Sequence, residues 1–251
     1  MTVILELKNV TKAYDAYKVV DEFNFQVKQG ELRCLLGPNG AGKTTTIDLI
    51  TGRQKSTSGN IIFNGRDITG QREDKIARQG VGRKFQVPAV FRELTVRENL
   101  QVAFSRNTDP FANMFQMGRK GGLERLRQVI EIVGLQERLG EVGGNLSHGE
   151  TQWLEIGMVL TQNPKLLLMD EPTAGMTEQE TQKTSEIFNR LKGEHTLVVV
   201  EHDMAFVREI ADIITLMHLG KTLAEGPMGV VEKDPKVREV YLGSEGITDA
   251  A

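Results

Sequence analysis

The residues best suited to chemistry in this sequence form a glycine-rich octapeptide, GPNGAGKT, at positions 37–44. An apolar run at 31–36 precedes it, which predicts the strand, loop and helix succession in which such loops hold phosphate. Glycines allow backbone N–H groups to surround a phosphate, while Lys43 would reach the β- and γ-phosphates and the Thr44 hydroxyl would ligate Mg²⁺. The residues predicted to bind a nucleotide here are Gly37, Pro38, Asn39, Gly40, Ala41, Gly42, Lys43, Thr44 and Thr45.

Two adjacent carboxylates follow another apolar run, LLLMDEP, at residues 166–172. The run does not alternate, which predicts a strand buried on both faces, and α/β sheets bind ligands at the carboxyl ends of such strands. Asp170 is expected to hold Mg²⁺ through water, and Glu171 to orient or deprotonate an attacking water. The alternative is that one carboxylate only caps the following turn. Loop and carboxylates together predict nucleoside triphosphate chemistry and leave kinases, GTPases and other ATPases open.

A third stretch, LSHGE at residues 146–150, opens a predicted helix. Ser147 and Glu150 have the spacing of a capping box, in which each side chain accepts from the other residue's backbone N–H. The free N–H groups and the positive dipole end of a helix start also suit an anion, and Gly149 permits close backbone approach. The stretch therefore predicts a structural cap that can also contact phosphate.

The pentapeptide resembles the LSGGQ signature of ABC-type ATPases, and other motifs of that family occur in the family's order. Gln86 resembles the Q-loop glutamine, AGMT at 174–177 resembles the D-loop, and His202 resembles the switch histidine. The plainer alternatives are a surface glutamine and a core histidine. Tyr14 is similar to the aromatic residue that stacks on adenine, with nearby Tyr17 as the alternative. The resemblance covers essentially the whole chain.

The resemblance implies a head-to-tail dimer with ATP and Mg²⁺ between its subunits. The second subunit would be another copy of this chain or a related ATPase. The signature residues expected to face the partner's nucleotide are Ser147, His148, Gly149 and Glu150. The dimer would power two polytopic membrane permeases, supplied by an external substrate-binding protein, from the cytoplasmic face of the membrane.

The resemblance also assigns individual roles within the site. Glu171 would act on the attacking water, and His202 would hold the γ-phosphate geometry. Thr44 and Gln86 would contact Mg²⁺ directly, and Asp170 through water. The side chains expected to serve hydrolysis are Lys43, Gln86, Glu171 and His202.

Three segments resemble, more narrowly, the ATP-binding subunit of urea importers: GRKFQ, SHGETQWLEIGM and AGMT. VREVYLG, at 237–243, is shared with importers of branched-chain amino acids, the nearest relatives, which usually have other residues at Trp153 and Gly157. The resemblance therefore favours a urea importer. The alternatives are a branched-chain amino-acid importer and a non-transport ABC ATPase, while the signature opposes a P-loop kinase.

Length and composition are those of a globular protein: 251 residues, 39% hydrophobic and 26% charged. The net charge of −3 provides no strong field for nucleic acid. No apolar run reaches the roughly 18 residues of a membrane span, and the N-terminus lacks the features of a signal peptide. The single cysteine, Cys34, is expected to be buried, and a chain without a possible internal disulfide fits a reducing cytoplasm.

The segments that must position these motifs follow from hydrophobic periodicity. Strands are predicted at 3–7, 18–27, 31–37, 61–64, 165–170 and 196–202, and helices at 123–134 and 177–192. The helix at 123–134 is predicted to be amphipathic, with four apolar side chains at helical spacing: Leu123, Leu126, Ile130 and Val133. Alternating strands and helices imply a mostly parallel sheet flanked by helices.

The predicted fold class is α/β: a P-loop NTPase core with a mostly parallel sheet, an antiparallel β subdomain and an inserted helical subdomain. The chain would form a single domain, 1–251. Its catalytic core and β subdomain would span about 1–87 and 161–251, and its helical subdomain about 88–160.

Two segments have no catalytic assignment. In VPAVFRELTVRENL, after Gln86, an apolar patch would receive a membrane subunit or pack within the helical subdomain; its members are Pro88, Val90 and Phe91. The aromatic-rich segment 104–122 is expected to pack in the core, with a membrane-facing helix as the alternative.

Position 150 departs from the family pattern, in which glutamine is common. A carboxylate aimed at phosphate would be repelled, whereas the capping box would turn Glu150 back toward the Ser147 backbone. We hypothesise that Glu150 is structural in the free chain and disfavours ATP-driven closure. His148 stands where glycine is usual and would add a donor or simply fit there.

Overall fold

The computed structural model describes residues 2–84, 90–104 and 120–242, whose strands form two sheets. The strands are β1 (Val3–Tyr14), β2 (Tyr17–Lys28), β3 (Leu32–Leu36), β4 (Ser58–Phe63), β5 (Arg66–Asp67), β6 (Val81–Lys84), β7 (Leu166–Asp170), β8 (Thr196–Val200), β9 (Ile213–His218) and β10 (Lys221–Gly226). The helices are α1 (Lys43–Thr51), α2 (Glu73–Gln79), α3 (Val96–Phe104), α4 (Lys120–Val133), α5 (His148–Thr161), α6 (Glu178–Leu191), α7 (Met204–Ile210), α8 (Met228–Val231) and α9 (Pro235–Leu242).

The first sheet is antiparallel, with strand order β2-β1-β4-β5. The predicted antiparallel β subdomain is confirmed, and its two N-terminal strands pair and are longer than predicted, at 12 residues each. A two-residue turn joins them, and its first residue, Asp15, has a φ of 50°. Aspartate tolerates that left-handed conformation better than most residues.

The second sheet, of order β10-β9-β3-β8-β7-β6, is parallel except for the pair of β9 with β10. Every residue of β3, β7 and β8 is buried, as their continuous apolar runs predicted. Successive side chains enter different cores: Cys34 and Leu36 lie in one hydrophobic cluster and Leu35 in the other. Burial also raises the pKa of the Cys34 thiol.

Helices α3, α4 and α5 lie between β6 and β7 in the chain, and they pack against one another. On α5, Trp153, Ile156 and Leu160 are buried at helical spacing. On α4 the apolar side chains at helical spacing differ in burial, since Leu123 is 50% exposed, whereas Leu126 is 8% exposed. Periodicity gives the direction in which a side chain points, but Leu123 lies in the first turn of α4, before the part of the helix that is packed against its neighbours.

One strand of the second sheet, β6, had no clear signal in the sequence. Strand β6, with the sequence VGRK, has no run of apolar residues and is the last strand in the order of the second sheet, yet its Lys84 is only 2% exposed. Helices in the described part of the chain all fall short of the length and apolarity that a membrane span requires. Most of the aromatic-rich segment 104–122 lies outside the described residues, so its two alternatives stay predictions.

The difference between two leucines on α4 gives a matched stability test. Leu126→Ala is expected to lower the free energy of unfolding by about 2–3 kcal/mol, because it removes buried methyl groups and leaves a cavity. Leu123→Ala, the same change three residues earlier, should alter it by less than about 0.5 kcal/mol. Urea unfolding followed by circular dichroism measures both, and equal losses would contradict the burial difference.

Candidate functional site

The glycine-rich loop connects the end of β3 to the start of α1. Gly42 caps α1 with a φ of 103°, and a Cβ there would lie 2.6 Å from the Val19 carbonyl oxygen of β2. At Gly37 a Cβ would lie 2.3 Å from the Met217 carbonyl oxygen of β9. Neither position accepts a side chain, because β9 of the same sheet lies against Gly37 and β2 of the other sheet lies against Gly42. The result is a loop that leads backbone N–H groups into a helix start, the geometry that suits phosphate.

The Lys43 ammonium lies over this loop. Its Nζ donates to the carbonyl oxygens of Gly37 at 2.6 Å and Pro38 at 3.1 Å. Burial lowers the pKa of Lys43, while the nearby Glu171 and Asp170 carboxylates act in the opposite direction. Lys43 therefore lies close enough to Asp170 and Glu171 to interact electrostatically with both, as expected if the three side chains belong to one site.

Asp170 ends β7 and is 2% exposed. Burial raises the pKa of its carboxyl group, and the Arg83 guanidinium and a hydrogen bond with Thr44 act in the opposite direction. A hydroxyl and a carboxylate side by side are oxygen ligands of the kind that Mg²⁺ prefers. Thr44 and Asp170 thus fit the predicted metal, whereas Gln86 lies outside the described residues and its assignment stays a prediction.

Glu171 and His202 face each other across the ends of β7 and β8. His202 Nδ1 lies 3.7 Å from Glu171 Oε1, and the two side chains are 70% and 35% exposed respectively. Glu171 has a φ of 47°, an unfavourable conformation for glutamate, and its backbone N–H donates to the Val200 carbonyl oxygen at 2.9 Å. The carboxylate is therefore held at the sheet edge while remaining accessible to water.

Tyr14 and Tyr17 face each other at the end of the β1–β2 hairpin. The Tyr14 hydroxyl donates to Gln54, and Lys12 Nζ lies 4.7 Å from the centroid of the Tyr14 ring. Tyr17 is the more exposed, at 63% against 49%. Both rings are thus available to a flat ligand.

The capping box at the start of α5 is present. Ser147 Oγ accepts from Glu150 N at 3.2 Å, and Glu150 Oε2 accepts from Ser147 N at 2.9 Å. The other oxygen, Glu150 Oε1, pairs with Arg138 Nε at 2.8 Å. His148 Nε2 lies 2.9 Å from the Ala174 carbonyl oxygen, so this ring bridges to the segment after Glu171.

A second carboxylate, that of Glu180, lies against the same helix start. Its Oε1 accepts from Ser147 Oγ at 3.0 Å and from Gly149 N at 3.1 Å. Its Oε2 closes another capping box, at the start of α6, by accepting from Thr177 N at 3.0 Å. Within the described ranges, no hydrogen bond joins residues 147–150 to the loop 37–45, so the structure does not bring these two predicted groups together in one chain.

The sequence reasoning missed three residues that arrange this site: Glu180, Arg138 and Glu201. Glu180 had a signal, because Thr177 and Glu180 repeat the capping-box spacing. Glu201 also had a signal. It is a carboxylate at the end of the apolar run of β8, as Asp170 is at the end of β7. Arg138 had no local signal, since its partner lies 12 residues away.

Comparisons with known proteins agree with this arrangement. A family model described as ABC transporter matches residues 20–174, and one described as branched-chain amino acid ATP-binding cassette transporter matches residues 221–247. The high-affinity branched-chain amino acid transport ATP-binding protein BraF of Pseudomonas aeruginosa is 35% identical, over 96% of this chain and 98% of its own. LivG of Escherichia coli, described in the same words, is 34% identical over the same shares.

Two solved structures share the fold over nearly the whole chain. A nucleotide-free ATP-binding cassette from an ABC transporter has a TM-score of 0.81 at 31% identity, covering 96% of this chain and 99% of its own. The ADP conformation of MJ1267, an ATP-binding cassette of an ABC transporter, has a TM-score of 0.83 at 32% identity, covering 97% and 100%. The chain therefore belongs to the ABC transporter family, as one of its ATP-binding cassettes, the ATPases that power transport.

Proposed function

We propose that this chain hydrolyses ATP to drive an importer of branched-chain amino acids. The observation that supports ATP hydrolysis is the distance of 3.7 Å between His202 Nδ1 and Glu171 Oε1. These two side chains lie at the same edge of the sheet as the loop that bears Lys43. A histidine beside an accessible carboxylate, with a lysine in electrostatic reach, is suited to act on a γ-phosphate and an attacking water.

Each side chain has a defined part in the proposed reaction. Lys43 exchanges its two carbonyl acceptors for β- and γ-phosphate oxygens, and backbone N–H groups of residues 37–45 hold the rest of the phosphate chain. Glu171 orients the attacking water and accepts its proton, while His202 holds the γ-phosphate. Tyr14 stacks on the adenine, with Tyr17 as the alternative.

The metal requirements of the proposed reaction fall on three residues. Thr44 and Gln86 would contact Mg²⁺, and Asp170 would hold it through water. When bound, the ion would supply positive charge to offset the negative charge of the transferred phosphoryl group. Asp170 suits this part because it is fixed at the end of a buried strand and has a hydrogen bond with Thr44.

The proposed working unit is a head-to-tail dimer with a second copy or a related ATPase. The start of α5 supports this arrangement, because in the described ranges it makes no hydrogen bond to the loop 37–45 of its own chain. Its Ser147 Oγ and Gly149 N donors, which bond Glu180 in the free chain, would exchange that carboxylate for a phosphate supplied by another subunit. Two permeases and an external substrate-binding protein complete the proposed transporter, with this chain on the cytoplasmic face. In the patch proposed to receive a permease, Phe91 is 47% exposed and Val90 packs against the core, while Pro88 lies outside the described residues.

The proposed substrate, branched-chain amino acids, follows the names of the relatives rather than the urea importer that the sequence motifs favoured. BraF and LivG are named for branched-chain amino acids, which supports the alternative and not urea. Urea remains a second candidate on its fingerprint segments, GRKFQ, SHGETQWLEIGM and AGMT. Trp153, part of that fingerprint, is buried and donates to Thr184 at 3.0 Å, so it has a structural role whichever substrate is imported.

Glu171→Gln tests the hydrolytic assignment. The variant is expected to bind ATP normally but to hydrolyse it about 10²–10⁴-fold more slowly, because glutamine cannot accept the proton of the attacking water. Phosphate release measures the rate, and size-exclusion chromatography with ATP should show an accumulated dimer. Glu209→Gln, the same change at an exposed position on α7, should leave both unchanged. Wild-type turnover in Glu171→Gln would remove the assignment.

Glu150→Gln tests the hypothesis about the unusual signature residue. We expect ATP-dependent dimerisation to tighten by about two- to fivefold, the size of a charge effect near a helix end, with the Arg138 pair keeping the change small. The dissociation constant is measured by analytical ultracentrifugation in the Glu171→Gln background. Glu137→Gln, an exposed neutralisation nearby, is the control. Unchanged or weaker dimerisation would leave Glu150 with the cap alone.

Transport assays in the source organism test the substrate. Deleting the gene is expected to abolish uptake of labelled leucine, isoleucine and valine, and wild-type protein should restore it while Glu171→Gln should not. Loss of urea uptake with normal amino-acid uptake would overturn the amino-acid assignment and establish the urea alternative. Normal uptake of both would contradict a role in either transporter.

A further inference from the structure

Glu201 is a buried carboxylate that has no part in the proposed chemistry. It follows β8 directly, and its side chain is 0% exposed. Burying a carboxylate is unfavourable unless its oxygens accept hydrogen bonds. The groups that donate to Glu201 therefore show which parts of the chain it holds together.

The donors come from the two loops that bear Glu171 and His202. Glu201 Oε1 accepts from Thr173 Oγ1 at 2.6 Å and from Thr173 N at 3.1 Å. Glu201 Oε2 accepts from the backbone N–H of His202 at 3.0 Å. One carboxylate thus joins the turn after β7 to the turn after β8.

This connection brackets Glu171. On its N-terminal side, Asp170 is paired with Val200, and the Glu171 backbone N–H donates to the Val200 carbonyl oxygen at 2.9 Å. Two residues later, Thr173 is held by Glu201. The left-handed conformation of Glu171, with a φ of 47°, is therefore fixed from both sides by consecutive residues of one neighbouring segment.

We propose that Glu201 is a positioning residue for ATP hydrolysis, which sets the spacing of Glu171 and His202 by bonding the loop of each. The inference rests on the proposed function, because it acts through those two side chains. His202 Nδ1 lies 3.8 Å from Glu201 Oε2, beyond hydrogen-bond distance, so the hold on His202 is through its backbone.

Glu201→Gln tests the inference, because glutamine keeps the shape but presents an NH₂ group to one of the two loops. The expected result is a kcat about ten- to a hundredfold lower, the effect of displacing a catalytic group by about 1 Å. The KM for ATP and the affinity for a non-hydrolysable ATP analogue should change by less than about twofold. Thermal unfolding reports the state of the fold in the same samples.

Thr173→Val removes one of the three donors and should lower kcat in the same direction by a smaller factor. Thr161→Val is its matched control, since Thr161 also has a buried hydroxyl, bonded to the Met158 carbonyl oxygen at 2.7 Å. Combining Glu201→Gln with Glu171→Gln should slow hydrolysis by less than about twofold beyond Glu171→Gln alone, because a positioning residue has no effect once its catalytic partner is gone.

The outcomes separate this inference from the proposed function. An unchanged kcat in Glu201→Gln, with Glu171→Gln slow, would overturn the positioning role and leave the proposed function intact. Loss of nucleotide affinity in parallel with kcat, or full additivity in the double variant, would also overturn it, since both are expected of a merely structural residue. Normal turnover in Glu171→Gln would instead remove the proposed function.

Discussion

The register of three parallel strands is the constraint on which the rest of the site depends. Leu35 of β3 and Asp170 of β7 both pair with Val200 of β8, so all three strands end at one edge of the sheet. Each end leads directly into a chemical segment: the glycine-rich loop, the turn of Glu171 and the turn of His202. A one-residue slip would move every side chain of a strand into the opposite hydrophobic cluster, so the packing of the two clusters that fixes the fold also fixes the site.

Two ion pairs among the buried side chains of the described residues join different elements. Arg83 of β6 pairs with Asp48 of α1 at 2.6 Å, and Lys84 of β6 pairs with Glu155 of α5 at 3.7 Å. Burial lowers the pKa of Lys84, and Glu155 acts in the opposite direction. Buried pairs contribute little net stability, but breaking one is costly. The two pairs here join α1 and α5 to the edge strand.

The start of α5 shows how one local motif gains its meaning from its surroundings. Its capping box is local and was predictable, because Ser147 and Glu150 are three residues apart. Glu180 reaches it from the capping box of α6 and accepts from Ser147 and Gly149, the donors expected to meet phosphate. The carboxylate nearest those donors is therefore Glu180, whereas Glu150 is turned back and paired with Arg138.

The sequence by itself determined the buried strands, the glycine-rich loop, the paired carboxylates and the cap of α5, because each depends on residues close together in the chain. Only the tertiary structure decided that Leu123 is exposed, that β6 completes the sheet and that Glu201 joins two loops. The physical reason is the same in each case. Periodicity and spacing give the direction and local conformation of a side chain, but burial and hydrogen bonding depend on partners that distant segments supply.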